Sequence, residues 1–266
     1  MSLSFDKPKL RQAFSDASAT YDSVAQLQRT VGQALLNVAD TDYLSGTLLD
    51  LGCGTGFLTC ELLALSGYRS IIALDIAMPM LHTTQRKLLD NDKVQYVCAD
   101  AEALPLDAQS IDHVFSNLAL QWCNHLDTAF NELRRVLKPA GQLAFSTFGT
   151  STLQELKAAW ATVDDYRHVN DFYHQHDIRC FLQQAGFVDI NLSSTTYLPR
   201  YASVTALMRE LKSIGAHNVL ASRNKQLTTK RAMQNMIAAY QLACANEPID
   251  TPIMATFEVI TVTAKR

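Results

Sequence analysis

Asp50-Leu51-Gly52-Cys53-Gly54-Thr55-Gly56 sits where a short apolar, strand-like stretch (47–51) gives way to a helix-like one. Glycines at such a junction allow positive φ and let a ligand approach the backbone without meeting a Cβ. In a doubly wound sheet the junction faces the ligand crevice at the carboxyl ends of the strands. A G-x-G alone says little, and its weight comes from context. A strand precedes it, a helix follows, and Asp75 closes the next strand, where an acidic side chain can accept hydrogen bonds from both ribose hydroxyls. A dinucleotide site wants G-x-G-x-x-G, with its third glycine at position 57; that residue is Phe57 and the glycine falls one place early, at Gly56. The nicotinamide reading is therefore disfavoured.

Outward from this loop, strand-like and helix-like stretches alternate, the pattern of a parallel sheet flanked by helices. Strands are expected at 47–51, 70–74, 94–98, 113–116 and 142–147, with a sixth at 188–195 and a seventh, alternating apolar and polar, at 257–263. Before them, Thr20 can cap a helix whose apolar positions Val24, Leu27, Val31, Leu35 and Val38 recur every three or four residues. After Gly149 come a helix at 152–163, a loop around 166–172 and a helix stopped by Gly186. Two further helices, 203–214 and 228–245, lie between the last two strands. The expected fold class is α/β: a doubly wound, seven-stranded, mostly parallel sheet with an N-terminal helix and a helical cap. The sheet-bearing unit takes residues 1–196 and 251–266, and the cap insertion takes 197–250.

With 266 residues, 48% of them hydrophobic and 18% charged, the chain can bury a core and has too little low-complexity content for disorder. The net charge of −3 makes no global case for nucleic acid or an anionic membrane. The six cysteines (Cys53, Cys60, Cys98, Cys123, Cys180 and Cys244) show no C-x-x-C and no zinc-finger spacing. They read as buried small hydrophobes in a reduced, cytoplasmic setting. No secretory or transmembrane segment is expected.

The D-L-G-C-G-T-G run resembles motif I of the class I S-adenosylmethionine-dependent methyltransferases, a likeness extended by Asp75, by Ala99-Asp100-Ala101 and by Asn117. The resemblance implies a Rossmann-like fold, S-adenosylmethionine as co-substrate and no metal. It implies a cofactor site made of Tyr21, Gln28, Asp50, Gly52, Gly54, Gly56, Asp75, Ile76, Met80, Asp100, Ala101 and Asn117. In that site Asp100 accepts from the adenine amino group, Ala101 offers its N–H to the ring, and Gln28 or Arg29 lies near the methionine carboxylate. Taken alone, Asp100 is a turn or cap residue, Met80 helix core, and Trp122 a packing aromatic.

Further blocks narrow the likeness: Ala19-Thr20-Tyr21-Asp22, the run 24–29, the run 101–106, Ser116 to Cys123, Arg167-His168-Val169-Asn170, and Glu210 to Asn218. Together, over nearly the whole chain, these resemble the malonyl-[acyl-carrier-protein] O-methyltransferase family of biotin synthesis. Lys138-Pro139-Ala140-Gly141 departs from its usual Pro-Gly-Gly, at a turn. A malonyl carboxylate is already ionised at neutral pH, so no general base is required and catalysis rests on positioning. The implied catalytic set is Tyr21, Asn117, Gln121, His168 and His217, with Asn170 and Asn218 as further polar candidates for the substrate carboxylate. Other carboxylic acids, a quinone-like carbon acceptor and a non-catalytic cofactor-binding role remain as alternatives. The implied partner is malonyl-acyl carrier protein, or malonyl-coenzyme A with the same arm. Between Leu211 and Asn246 the basic residues Lys212, Arg223, Lys225, Lys230 and Arg231 meet no Asp or Glu. That stretch is a candidate docking face for an acidic carrier, or an ordinary solvated face.

Overall fold

A computed structural model describes residues 5–39, 44–65, 67–89, 91–216, 228–243 and 252–266. All seven expected strands form, the first six being β1 (Gly46–Leu51), β2 (Tyr68–Asp75), β3 (Val94–Cys98), β4 (Ile111–Asn117), β5 (Leu137–Phe148) and β6 (Val188–Tyr197). Two-residue strands β7 (Arg200–Tyr201) and β8 (Ile253–Met254) pair with each other, and β9 (Phe257–Lys265) returns to the main sheet. The order is β3-β2-β1-β4-β5-β9-β6, parallel from β3 to β5, with β9 antiparallel to both its neighbours. After building β2 and β3 on one side of β1, the chain crosses back to lay β4 on the other. The crevice therefore falls between the carboxyl ends of β1 and β4, the place where a doubly wound sheet takes its ligands.

The N-terminal expectation needs correction. The chain forms α1 (Lys7–Ala17), α2 (Tyr21–Val24) and α3 (Gln26–Val38), broken at Ala25, instead of one helix beginning at Thr20. The Thr20 hydroxyl caps nothing: it donates to the carbonyls of Ala17 and Ser213. Asp6 does cap α1, accepting from the Lys9 N–H at 3.2 Å, with Pro8 in the first turn, a start signal present in the sequence. On α3, Val31 and Leu35 are buried, whereas Val38 is exposed.

Alternation along the strands divides the core. Leu48, Ile71, Ala73 and Phe115 pack with Leu35 of α3, with Leu58 and Leu62 of α4 (Phe57–Ala64) and with Leu81 of α5 (Met78–Lys87). On the opposite face Leu49, Leu74, Val114 and Phe145 meet α6 (Leu126–Val136). The helix expected at 152–163 is α7 (Gln154–Ala161); α8 (Gln175–Gln184) joins α6 on its face of the sheet. Gly186, at φ +87°, ends α8 as expected, with the Phe187 N–H returning to Leu182. In the inserted segment, α9 (Val204–Ser213) and α10 (Lys230–Ala243) bury Leu207, Met236 and Tyr240 against Leu156 and Trp160 of α7, beyond the carboxyl ends of the strands. Cys53 and Cys123 are buried as expected, but Cys98 is exposed, and Cys244 lies outside the described residues. Among the described residues, no helix is long and apolar enough to cross a membrane.

Candidate active site

The loop after β1 is held by the end of β2. The Asp75 carboxylate accepts from the Gly54 N–H at 2.9 Å and from the Ala77 N–H at 2.8 Å, tying both strand-to-helix junctions to one side chain. Burial pushes its carboxyl up to about 6 against those bonds. Asp50 is buried deeper: one oxygen accepts from the Thr59 hydroxyl at 2.6 Å, while Oδ1 has no partner among the described residues. Burial, with Asp75 nearby, pushes it up to about 7.

Gly52 is at φ +72°, and a Cβ there would stand 2.3 Å from Cβ of Ala119, so the loops after β1 and β4 touch through this glycine. A Cβ on Gly54 would meet nothing within 4 Å, because Gly54 borders open space. Gly56 differs from the sequence expectation. At φ +85° it begins α4 against the Thr84 side chain, and it lines none of the three spaces around the loop. Its role is steric: it seats α4 against α5.

The first space is a cleft of about 690 Å³. Leu10, Phe14, Ile76, Met80, Leu120 and Trp122 make its apolar walls, while Tyr21, Asp75, Asp100, Ala101 and Asn117 reach it from the expected set. Beneath α2, a smaller space of about 420 Å³ is bordered by Tyr21, Gln28, Arg29, Asp50, Gly52 and Asn117. Burial drives the Tyr21 phenol well above its ordinary value, so it stays neutral. Asn117 donates to the Gln28 carbonyl at 2.8 Å and accepts from the Ser146 hydroxyl at 2.8 Å, fixing α3 over the strand ends. Gly32 of α3 permits that approach, since a Cβ there would stand 3.0 Å from Nδ2 of Asn117; an interior helical glycine was the signal for it. Leu118 takes φ +50°, an unusual value for leucine, at the turn beside the crevice. Gln121, expected to be catalytic, is buried, donates to the Leu118 carbonyl and accepts from Thr147; it lines none of the three spaces and braces the turn.

Sequence reasoning missed the strap over the cleft. Lys7 of α1 lies 3.0 Å from Asp100 and 2.6 Å from Glu102. Although burial opposes it, these carboxylates raise the Lys7 pKa. Trp122 is flanked by Phe5 and Phe14 at 5.5 and 5.4 Å between ring centres. On α2, Asp22 accepts from the Thr55 hydroxyl at 2.7 Å and pairs with Lys87 at 2.6 Å, while Lys87 donates to the Thr55 carbonyl. Against the push of burial, Lys87 and Thr55 hold Asp22 below the usual carboxylate range. Two lysines thus pin the N-terminal helices to the loops beneath.

A third space of about 1120 Å³ lies under α7, α9 and α10. Trp122 borders both it and the cleft; Gln28 borders both it and the smaller space. Its walls include Phe148, Leu156, Phe172 and Met233, with His168, Asn170 and Lys212 among the polar residues. His168 stacks on Trp160 at 3.7 Å and bonds Asp164 through Nε2 at 2.8 Å. His217, Asn218, Arg223 and Lys225 lie outside the described residues; Lys230 and Arg231 are exposed at the start of α10.

Residues 49–145 match the methyltransferase-domain family. A malonyl-[acyl-carrier protein] O-methyltransferase of Methylococcus capsulatus is 41% identical over 250 residues, covering 94% of this chain and 90% of that protein. The biotin biosynthesis bifunctional protein BioHC of Cellvibrio japonicus is 39% identical over 254 residues, which are 96% of this chain and 49% of the longer protein. Among solved structures, the YcgJ protein of Bacillus subtilis aligns over 89% of this chain and 97% of its own with a TM-score of 0.64 at 13% identity, a likeness of fold alone.

The two inner glycines make separable demands. Gly52→Ala should cost roughly 1–3 kcal/mol, because it combines strained φ with a clash. Gly54→Ala should cost about 1–2 kcal/mol, the strain of its φ of +55° alone, since its Cβ meets nothing within 4 Å. Thermal unfolding of the two variants checks the order, and equal losses would show that the loop relaxes around Ala119.

Proposed function

We propose, for a chain that belongs to the malonyl-[acyl-carrier protein] O-methyltransferase family, that it methylates the free carboxylate of a malonyl thioester on acyl carrier protein, in biotin synthesis in the cytoplasm. The observation that carries this reading is the shared wall. Trp122 borders both the crevice cleft and the larger chamber, and Gln28 borders both the chamber and the smaller space, so a donor on one side and an acceptor on the other meet at these two residues.

The residues fit S-adenosylmethionine. The buried Oδ1 of Asp50 lacks a partner among the described residues, Gly54 leaves its backbone facing open space, and Ile76 and Met80 supply an apolar wall of the kind an adenine ring needs. When bound, S-adenosylmethionine would supply an electrophilic sulfonium methyl, to whose carbon an oxygen of the ionised acceptor carboxylate would bond in line as the methyl–sulfur bond breaks and S-adenosylhomocysteine leaves. Asp75 would accept from the ribose hydroxyls, Asp100 from the adenine amino group, and Ala101 would offer its N–H to the ring. Gln28 and Arg29 border the space suited to the methionine tail. Tyr21 stays neutral over the junction, and Asn117 acts through its bonds to Gln28 and Ser146. The strap of α1 and α2 excludes water, which strengthens each polar contact inside.

Segment 197–250 acts as the acceptor-side cap on the sheet-bearing unit. Lys212, in the chamber wall, faces the acceptor's anionic head or arm, while Lys230 and Arg231 present exposed charge to an acidic carrier.

Purified protein should transfer labelled methyl to malonyl-acyl carrier protein as a base-labile ester, and leave acetyl-acyl carrier protein unlabelled. Equal labelling of both would defeat the carboxylate assignment. Malonyl-coenzyme A tests the carrier's part, because it brings the same arm without the protein. Lys230→Glu with Arg231→Glu should raise KM for malonyl-acyl carrier protein and flatten its dependence on salt, with little change for malonyl-coenzyme A. An equal response of both substrates would remove α10 from docking.

The raised carboxyls set a pH window. Ionised Asp75 and Asp50 accept more hydrogen bonds than their protonated forms, so affinity for S-adenosylhomocysteine should hold above about pH 8 and decline as pH falls through about 7 and 6. Asp75→Asn should bind more weakly and lose the lower part of that decline. Calorimetric titration that is flat down to pH 5 in the parent chain would take both carboxylates out of the site.

A further inference from the structure

Asn170 is 7% exposed, lies in the wall of the acceptor chamber, and its Oδ1 is sealed without a hydrogen-bond partner among the described residues. A buried amide carbonyl with no donor is costly, and native folds retain few of them. The segment that carries it is not slack: two residues earlier, His168 is stacked on Trp160 and bonded to Asp164. The orphan is thus held in a firm wall of a chamber that Phe148, Phe172 and Leu156 also line, side chains with no donor to give.

The chemistry of the missing partner follows from that oxygen. Oδ1 needs an N–H or O–H. An ionised carboxylate brings acceptors alone, so the malonyl head cannot satisfy it. The carboxylate-binding role that the sequence offered would engage Nδ2 alone and leave Oδ1 unanswered. The thioester arm of an acyl carrier contains secondary amides, each with one N–H and one carbonyl. Such an amide entering an apolar chamber carries its own unmet demand. A primary amide side chain is the group that answers both, accepting with Oδ1 and donating with Nδ2.

We infer that Asn170 reads the arm of the acceptor: it pairs with a secondary amide of the thioester chain and so sets how far the malonyl group advances toward Trp122. This assignment rests on the malonyl-thioester reading and deepens it. Asn170 is a specificity residue, remote from the reacting carboxylate, so its loss should appear in KM far more than in kcat.

The test compares two small acceptors of equal chain length, the malonyl thioester of N-acetylcysteamine, which has one secondary amide, and that of pentanethiol, which has none. The parent chain should show a KM roughly tenfold lower for the amide thioester at similar kcat. Asn170→Leu should erase that difference by raising KM for the amide thioester while leaving the pentyl thioester within about twofold. Asn170→Ser, which is smaller, serves if the leucine strains the wall, and unchanged affinity for S-adenosylhomocysteine certifies that either variant is folded. A parent chain that does not distinguish the two thioesters overturns the assignment, as do variants that raise both KM values equally. Failure of the parent chain to methylate either thioester or malonyl-acyl carrier protein would instead overturn the malonyl reading, and this inference with it.

Discussion

One carboxylate sets the shape of the crevice. Asp75 ends β2 and accepts the N–H groups of Gly54 and Ala77, so the loops after β1 and β2 cannot move independently. The burial that makes this anchor firm also makes ionisation of Asp75 expensive. Adjacent parallel strands bring Asp50 into the same dry region, where its carboxyl is pushed up as well. The wall between β1 and β4 is set just as tightly, because Gly52 leaves no room between its own Cα and Ala119. A rigid floor of this kind needs no closing motion of its own, and access is left to what covers it.

That cover comes from the N-terminus. Helix α1 buries only Leu10, Ala13 and Ala17, and the four-residue α2 buries none, so packing alone holds them weakly. Lys7 and Lys87 add ion pairs that are only partly shielded from solvent, contacts of modest strength. A strap fastened in this way can release and refasten at small cost. The chamber on the other side is more permanent, because α9 and α10 share a buried cluster with α7 and Phe257. The cleft is thus covered by a lightly fastened strap and the chamber by packed helices, and Trp122 borders both.

The sheet was legible because its strands are short apolar runs punctuated by glycine and acidic residues, and all seven expected stretches become strands. The glycine loop was legible because the spacing from Gly52 to Asp75 reports a strand, a helix and a second strand. Detail depending on contacts between distant parts was not. Nothing local to Gln121 shows that its amide turns back to Leu118 and Thr147, and nothing local to Gly56 shows Thr84 standing against it. The α1 strap was overlooked although Asp6 and Pro8 mark its start, because its apolar positions are few and its main partners, Asp100 and Glu102, lie more than ninety residues away. Thr20 misled through its type: it sits where a cap would stand, but the carbonyls of Ala17 and Ser213 take its proton.

The same dryness explains the economy of the site. An ionised carboxylate acceptor needs no proton removed, so acid–base groups would add nothing to the transfer itself. What it does need is an approach along one line, with water kept away, because water would solvate the nucleophile and weaken its attack. The residues meet that need with shape: Trp122 between the two spaces, Asn117 and Gly32 drawing α3 down onto the strand ends, and an aromatic wall on the far side. Selectivity must then come from the far end of the acceptor, since the reacting carboxylate is common to many metabolites. The chamber's lining runs from Gln28 and Trp122 to Met233 of α10, a longer wall than a malonyl group alone can touch. On the malonyl-thioester reading, that length suits the arm that delivers the malonyl group.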